Sequence, residues 1–326
     1  MRRLVLTLSV LLVAIAATPV LAQSKKTIKF VLDWKYQGIH AFVFWAAAKG
    51  YFAAENLAVE IDQGQGSAAT ISLIGSGAYD AGLGDVNAVI QFASTKVATR
   101  PVMVYMTYNR PPFALITKQT SRIKTLPDVV GHTMGTPAGG AAGQLFTSLA
   151  KINSIDPASV KVINMSPNLQ EQMLVTNQVD FSAVFTVTSY INLLGLKVDP
   201  DKDIRWLFYS DYGLDLYSNG IMVSEKLIKE NPTAVAGLVR ALNRAFVEVA
   251  ADPDAAIALM KEKEPLLDAA LERQRLIYAF KTHFISPETL EIGVGDVDES
   301  RMARAIRVIV ESYQLPSTPP VSDIFN

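Results

Sequence analysis

The sequence predicts an α/β protein made of two successive units, each a sheet covered by helices. Strand-like and helix-like patterns alternate through the first hundred or so positions, and near Phe113 the alternation starts again. From Asn219 onward the chain turns mostly helical. Length agrees with this division: 326 residues, 50% hydrophobic and 19% charged, are enough for two cores.

Thr27 to Leu32 alternates and is rich in β-formers, so it reads as a strand ending at Asp33-Trp34. Ala41 to Ala48 is a helix stopped by Lys49-Gly50. Ala58 to Asp62 is a second strand, and Gly64 to Ala69 is a loop opening a helix through Gly75. Tyr79 to Leu83 is a short strand, Val86 to Ser94 a helix, and Val102 to Tyr108 a fourth strand. This order argues a largely parallel sheet. In the second unit Phe113 to Thr117, His132 to Gly135, Val160 to Met165 and Asp180 to Phe185 read as strands. Between them lie a short turn or helix at Leu126 to Gly131 and a small-residue loop, Thr136 to Gly143, running into a helix through Ala150. Asn168 to Thr176 is helical, with Leu169, Met173 and Leu174 at helical spacing, and a further helix reaches Leu194. Gly220 to Val223 is a return strand, and Ser224 caps the helix after it. Asn231-Pro232 and Asp252-Pro253 are cap-plus-proline helix starts, Ser286-Pro287 opens another turn, and Val297 to Tyr313 is the last helix.

Composition removes several chemistries. The chain has no Cys, which excludes disulfides, thiolate nucleophiles, iron–sulfur clusters and Cys-ligated zinc. Its three His, His40, His132 and His283, do not fall at metal-ligand spacing. A formal net charge of -1 gives no basic surface for nucleic acid. Met1-Arg2-Arg3, the apolar run Leu4 to Ala17 and the small-residue exit Val20-Leu21-Ala22 form a secretory signal peptide over residues 1–22. The product is expected to be soluble, exported to the periplasm and mildly acidic.

Gly64-Gln65-Gly66-Ser67-Ala68-Ala69 fits G-x-G-x-x-A after a strand, with Asp85 beyond it, as a dinucleotide site would. The motif is weakly specific, and an exported chain has little use for a diffusible nicotinamide; a tight β–α turn facing a cleft is the other reading. Thr136 to Gly143 offers backbone amides at a helix start, where a negative or acceptor atom is favoured, or else simply close helix packing. Gly143 is followed by Gln144 rather than Lys, so this is no Walker loop. There is no G-x-S-x-G elbow and no His-Glu-x-x-His pair. His40 lacks an identifiable partner for base catalysis. No cofactor and no catalytic residue is expected.

Aromatic and polar residues do recur at strand ends. Trp34 and Tyr36 follow the first strand, Asp85 and Asn87 the third, Tyr108 and Asn109 the fourth, and Phe185 ends the last strand of the second unit, with Ser189 and Tyr190 just after it. Tyr217 and Asn219 precede the return strand. Ligands of open α/β sheets bind at carboxyl ends of strands, so one cleft gathered from several loops is expected.

Leu32-Asp33-Trp34, Lys49-Gly50-Tyr51-Phe52, Glu55-Asn56-Leu57 with Val59-Glu60-Ile61, Ser76 to Gly82, and Leu126-Pro127-Asp128 to Gly135-Thr136-Pro137 together carry a family resemblance. Their order and spacing resemble the substrate-binding proteins of ABC importers for thiamine pyrimidine precursors, related to those for sulfonates, taurine and nitrate. The resemblance implies a two-lobed periplasmic binding protein fold of type II whose lobes close by hinge motion. Lobe one would comprise 25–115 and 220–326, and lobe two 116–219. It implies a monomer that delivers a small molecule to an ABC transporter permease, and no enzyme. Trp34 would stack a planar ring, and the Thr136 to Gly140 loop would hold polar ligand atoms. The expected ligand contacts are Asp33, Trp34, Tyr36, His40, Ser67, Asp85, Asn87, Thr136, Gly139, Gly140, Phe185, Ser189, Tyr190 and Tyr217. One departure stands out: pyrimidine-precursor binders grip the aminopyrimidine with a Glu, whereas Phe185-Thr186-Val187-Thr188-Ser189-Tyr190 has no acid. Another small aromatic or N-heterocyclic solute therefore fits as well, with Asp85 as a substitute acid. The alternative is a binder of small oxyanions such as sulfonate, taurine or nitrate. Eukaryotic relatives make the thiamine pyrimidine with this fold, but through a Cys-rich motif that a chain without Cys lacks.

Overall fold

The computed structural model describes residues 25–95 and 100–326. The expected signal peptide lies outside the described residues. Among these are the strands β1 (Lys26–Val31), β2 (Leu57–Asp62), β3 (Ala81–Asp85), β4 (Pro101–Met106) and β5 (Phe113–Lys118). They are followed by β6 (Thr133–Thr136), β7 (Lys161–Asn164), β8 (Phe181–Phe185), β9 (Ile204–Phe208) and β10 (Asn219–Ser224). They form two five-stranded sheets of the same design, ordered β2-β1-β3-β10-β4 and β7-β6-β8-β5-β9.

The sheets are mixed rather than largely parallel. In the first, β10 runs antiparallel to β3 and β4; in the second, β5 runs antiparallel to β8 and β9. The reason is the path of the chain. Each of these strands enters from the other sheet, through residues 107–112 or 209–218, and so begins at the end where its neighbours finish. Phe113, Ala114 and Leu115, counted with lobe one by the sequence division, pair with β8 in the second sheet. Strand β9 was not foreseen: it is an edge strand behind a charged Asp199–Asp203 stretch, and pairs on one side only.

Local signals set the helices. Asn231, Asp252 and Ser286 each accept a hydrogen bond from the amide three residues on, with proline at the first helical position. Such a cap is worth about 1 kcal/mol. The helix Glu299–Tyr313 buries Met302, Ala305, Ile306 and Ile309, an apolar stripe at helical spacing. That stripe packs on Val86–Ser94, which follows the first sheet's β3, and on Ala141–Ile152, which follows the second sheet's β6. Lys151 Nζ donates to the Ser312 carbonyl at 2.6 Å on the same flank. On another flank Ala269–Ala279 packs on Thr186–Gly195. C-terminal helices thus pack on helices that belong to both sheets' units. No helix among the described residues is long and apolar enough to cross a membrane.

Candidate functional site

The carboxyl ends of β1 and β8 open on a cavity between the sheets. About 40 Å³ of it admits the centre of a water molecule, so the space between the two walls is a tight slot. From the first sheet it is walled by Asp33, Trp34, Gln37, Ile39 and Ser67. The second sheet contributes the Pro137 and Gly140–Ala142 loop, Gln170, Ala183, Phe185 and Thr188.

The Asp33-Trp34 turn is laced to the loop after β2. Gly64 N donates to the Trp34 carbonyl at 3.0 Å and Gly66 N to the Asp33 carbonyl at 2.8 Å. A Cβ on Gly64 would lie 1.9 Å from the Leu32 carbonyl oxygen, so only glycine permits this approach. Asp33 is held on both oxygens. Gln37 N donates to His40 Nδ1 at 3.1 Å, which leaves His40 Nε2 to donate to Asp33 Oδ1 at 3.0 Å. Asn219 Nδ2 donates to Asp33 Oδ2 at 2.5 Å from the first residue of β10. The second crossover is thereby tied directly to the cavity wall.

Two helices start at the cavity, Ser67–Gly75 and Ala141–Ile152, with Gly66 and Gly140 as N-caps. Neither has a side-chain cap, so their first amides are left to the cavity. The two loops meet across the cleft: a Cβ on Gly66, whose φ is 112°, would lie 2.4 Å from the Gly139 carbonyl oxygen. The lobes are closed on each other. Two buried donors in the wall, Trp34 Nε1 and Gln37 Nε2, have no partner. Gln37 Oε1 accepts from Thr188 Oγ1 across the cleft at 3.2 Å. Phe185 stands edge-on to Tyr108 and Phe113, while no aromatic ring stacks on Trp34 among the described residues.

Of the expected contacts, Asp33, Trp34, Ser67, Gly140 and Phe185 line the cavity, and Gly139 closes the loop contact above it. His40 is fully buried one layer behind Asp33. Thr136 is buried beneath Gly143, whose Cβ would strike its hydroxyl. Tyr36 lies outside the cavity, with its hydroxyl on the Ile61 carbonyl and its ring edge-on to Phe44. Ser189 donates to Glu171 Oε1 at 2.5 Å, Tyr190 donates to Asp201 and stacks on Tyr278, and the Tyr217 hydroxyl bonds Glu288. All three therefore spend their polar atoms elsewhere. Gln37, Ile39, Gln170 and Thr188 were not foreseen. Gln37 carried a readable signal, its place three residues after Trp34; Gln170 and Thr188 sit in ordinary helical sequence.

Asp85 is not among the residues that line the cavity. It caps the Val86–Ser94 helix, accepting from Asn87 N at 2.9 Å and from Ser218 Oγ at 2.9 Å, and Asn87 Nδ2 is spent on the Tyr217 carbonyl. The acid near Ser189 is Glu171, which accepts from Ser189 and Asn192 behind the wall. Burial pushes Asp85 up from 3.8 to about 6 despite its hydrogen bonds. A raised folded value means the folded state holds the proton more tightly. The associated stability is full below the unfolded value and is lost as pH rises through about 6. Asp85→Asn keeps the cap oxygen and turns the Ser218 proton toward Asn219 Oδ1. It should gain up to about 3 kcal/mol over the parent above about pH 7, with a flatter pH profile. Melting curves across that range check this; a variant as pH-sensitive as the parent would remove Asp85 as the source.

The profile of the family described as "NMT1/THI5 like" matches residues 37–256. The chain is 28% identical to the riboflavin-binding protein RibY of Chloroflexus aurantiacus, over 80% of this chain and 72% of that protein. It is 25% identical to a formylaminopyrimidine-binding protein of Halalkalibacterium halodurans, over 73% and 71%. It is 22% identical to a 4-amino-5-hydroxymethyl-2-methylpyrimidine phosphate synthase of Legionella pneumophila, over 90% and 94%. Among solved structures, the alkanesulfonate-binding protein SsuA of Xanthomonas axonopodis pv. citri aligns with a TM-score of 0.69 at 13% identity, over 94% of this chain and 99% of that one. That likeness shows the fold, two α/β lobes of the periplasmic binding protein type.

Proposed function

The chain belongs to the NMT1/THI5-like family, and we propose that it is an exported solute-binding protein that takes up a small planar aromatic or N-heterocyclic molecule for an ABC importer. The observation that carries this reading is the slot between the sheets, with an unstacked Trp34 and two unpaired buried N–H donors in its wall. An unpaired buried donor costs about 1–3 kcal/mol, which a ligand acceptor would recover. Ring nitrogens or ring carbonyls present such acceptors at the edge of a flat molecule. Asp33 adds an acceptor for one ligand N–H. The hinge would run through 107–112 and 209–218, with the lobes otherwise divided as the sequence suggests.

Similarity to a synthase raises a catalytic alternative. The cavity wall supplies no Lys, His or Cys to form or break a bond, which favours binding. Two uncapped helix starts at the cavity favour a second reading, capture of a small sulfonate or nitrate. Against it, no Lys or Arg lines the wall and the Asp33 carboxylate does. A thermal-shift panel separates the readings. Pyrimidines and flavin-type rings should raise the melting temperature while taurine, alkanesulfonates and nitrate leave it unchanged. Stabilisation by the anions alone would transfer the assignment to the second reading.

A further inference from the structure

Each crossover between the sheets is bonded to one unit at one end and to the other unit at the other. In the first, Thr107 N and Tyr108 N donate to the Asn219 carbonyl of β10 at 3.2 and 2.8 Å. Arg110 N donates to the His283 carbonyl at 3.0 Å. Two residues on, the Pro112 carbonyl accepts at 2.7 Å from Thr186 N, at the start of the helix after β8. The second crossover runs the other way. Tyr209 Oη donates to the Ala142 carbonyl at 2.8 Å, and the Tyr212 carbonyl accepts from Asn153 Nδ2 at 2.9 Å, both in the second unit. Leu214 N turns back to the Tyr209 carbonyl at 3.0 Å. Beyond it the bonds go to the first unit, where Asn87 Nδ2 donates to the Tyr217 carbonyl at 2.8 Å.

One carboxylate joins the two first-unit ends. Glu288 Oε1 accepts from Asn109 Nδ2 in the first crossover at 2.8 Å and from the Tyr217 hydroxyl in the second. Glu288 Oε2 accepts from Arg301 at 3.2 Å. The same guanidinium donates to Asp215 Oδ1 at 3.0 Å and lies 4.1 Å over the Tyr217 ring. Ser286 Oγ donates to Asn109 Oδ1 at 2.6 Å, so the Asn109 amide is held on both atoms. Bonds to an ionised acceptor are stronger than those between neutral groups. The stretch carrying Glu288 is itself fastened to the first sheet, where Met106 N of β4 donates to the Gly295 carbonyl at 2.7 Å.

From this convergence we infer that Glu288 is a positioning residue for lobe closure. It fastens 107–110 and 215–218 to the first lobe as one body, and it leaves Pro111 and Leu214 as the two points about which the lobes turn. This rests on the hinge assigned to the two crossovers. The test needs no ligand, so its result does not depend on what the slot takes. A chain without Cys accepts a clean pair of spin labels, at Ala53→Cys in the first lobe and Lys161→Cys in the second, both exposed. Pulsed electron resonance then reads the distance between lobes. Glu288→Ala should widen the distance distribution about twofold, because lobes freed of a common anchor sample more arrangements. Glu288→Gln keeps oxygen acceptors for Asn109 and Tyr217 and should restore the parent distribution. Tyr217→Phe keeps the ring under Arg301, removes one link and should fall between. A Glu288→Ala distribution as narrow as the parent's overturns the anchor. A Glu288→Gln distribution as wide as that of Glu288→Ala overturns it too, since the crossover bonds would then not be what holds the lobes.

Discussion

Arg275→Met should destabilise the protein by about 3–5 kcal/mol, the typical cost of stranding one member of a buried ion pair. Arg275 is 2% exposed and its partner Glu272 is 9% exposed. The guanidinium makes two bonds to Glu272, at 2.8 and 3.0 Å, and one each to the carbonyls of Val187 and Thr188 and to Asn192 Oδ1. Methionine fills much of the volume and satisfies none of these acceptors. The loss comes chiefly from the Glu272 carboxylate, left in the interior with the Gly38 amide as its remaining partner. Adding Glu272→Gln removes that charge and keeps an oxygen for Gly38, so the double variant should regain a good part of the loss. Urea unfolding with an unchanged slope measures both. A single-variant cost below about 1 kcal/mol would mean that the pair behaves as a solvated surface bridge.

Trp34→Ala should weaken binding of the best ring in the panel by about tenfold to a hundredfold, the effect of removing a central aromatic anchor. Two contributions add here. The indole gives a face with no aromatic neighbour, and its buried Nε1 has no acceptor within the protein. Trp34→Phe parts them: it keeps an aromatic face and removes the donor, so it should fall between the parent and the alanine variant. Folding should change little, since Trp34 is half-buried at the end of the first strand. Isothermal titration of all three proteins reads the effect. Equal affinities would remove Trp34 from the site.

The difference between what was legible and what was not is one of range. Asn231, Asp252 and Ser286 announce helix starts through their own side chains and the proline that follows each, so three residues carry the whole signal. Strand β9 carries no such signal. Ile204 and Leu207 gain their strand character from pairing with β5, more than eighty residues earlier in the chain. The cavity divides the same way. Asp33, Trp34, Ser67, Gly140 and Phe185 stand at strand ends or helix starts, where topology alone points to a cleft. Tyr190 and Tyr217 look equally suitable in sequence, yet Asp201 and Glu288 occupy their hydroxyls. Those partners lie 11 and 71 residues away. Gln37 and Thr188 become site residues only when the lobes meet, because each is the other's partner.

The exchange of strands between the sheets also bears on the order in which the chain reaches its native state. Every strand of the second sheet lies between residues 113 and 208, in one uninterrupted stretch. The first sheet needs β10, at 219–224, before β4 has any neighbour to join. Strands β1, β2 and β3 pair among themselves, but β4 and the second edge of β3 wait for residues made after the whole of the other sheet, so the later-synthesised sheet is the one able to be completed first. Closing a loop of more than a hundred residues is slow as well as entropically costly. A chain assembled in this order leaves β4 without a partner for longer than any strand of the second sheet.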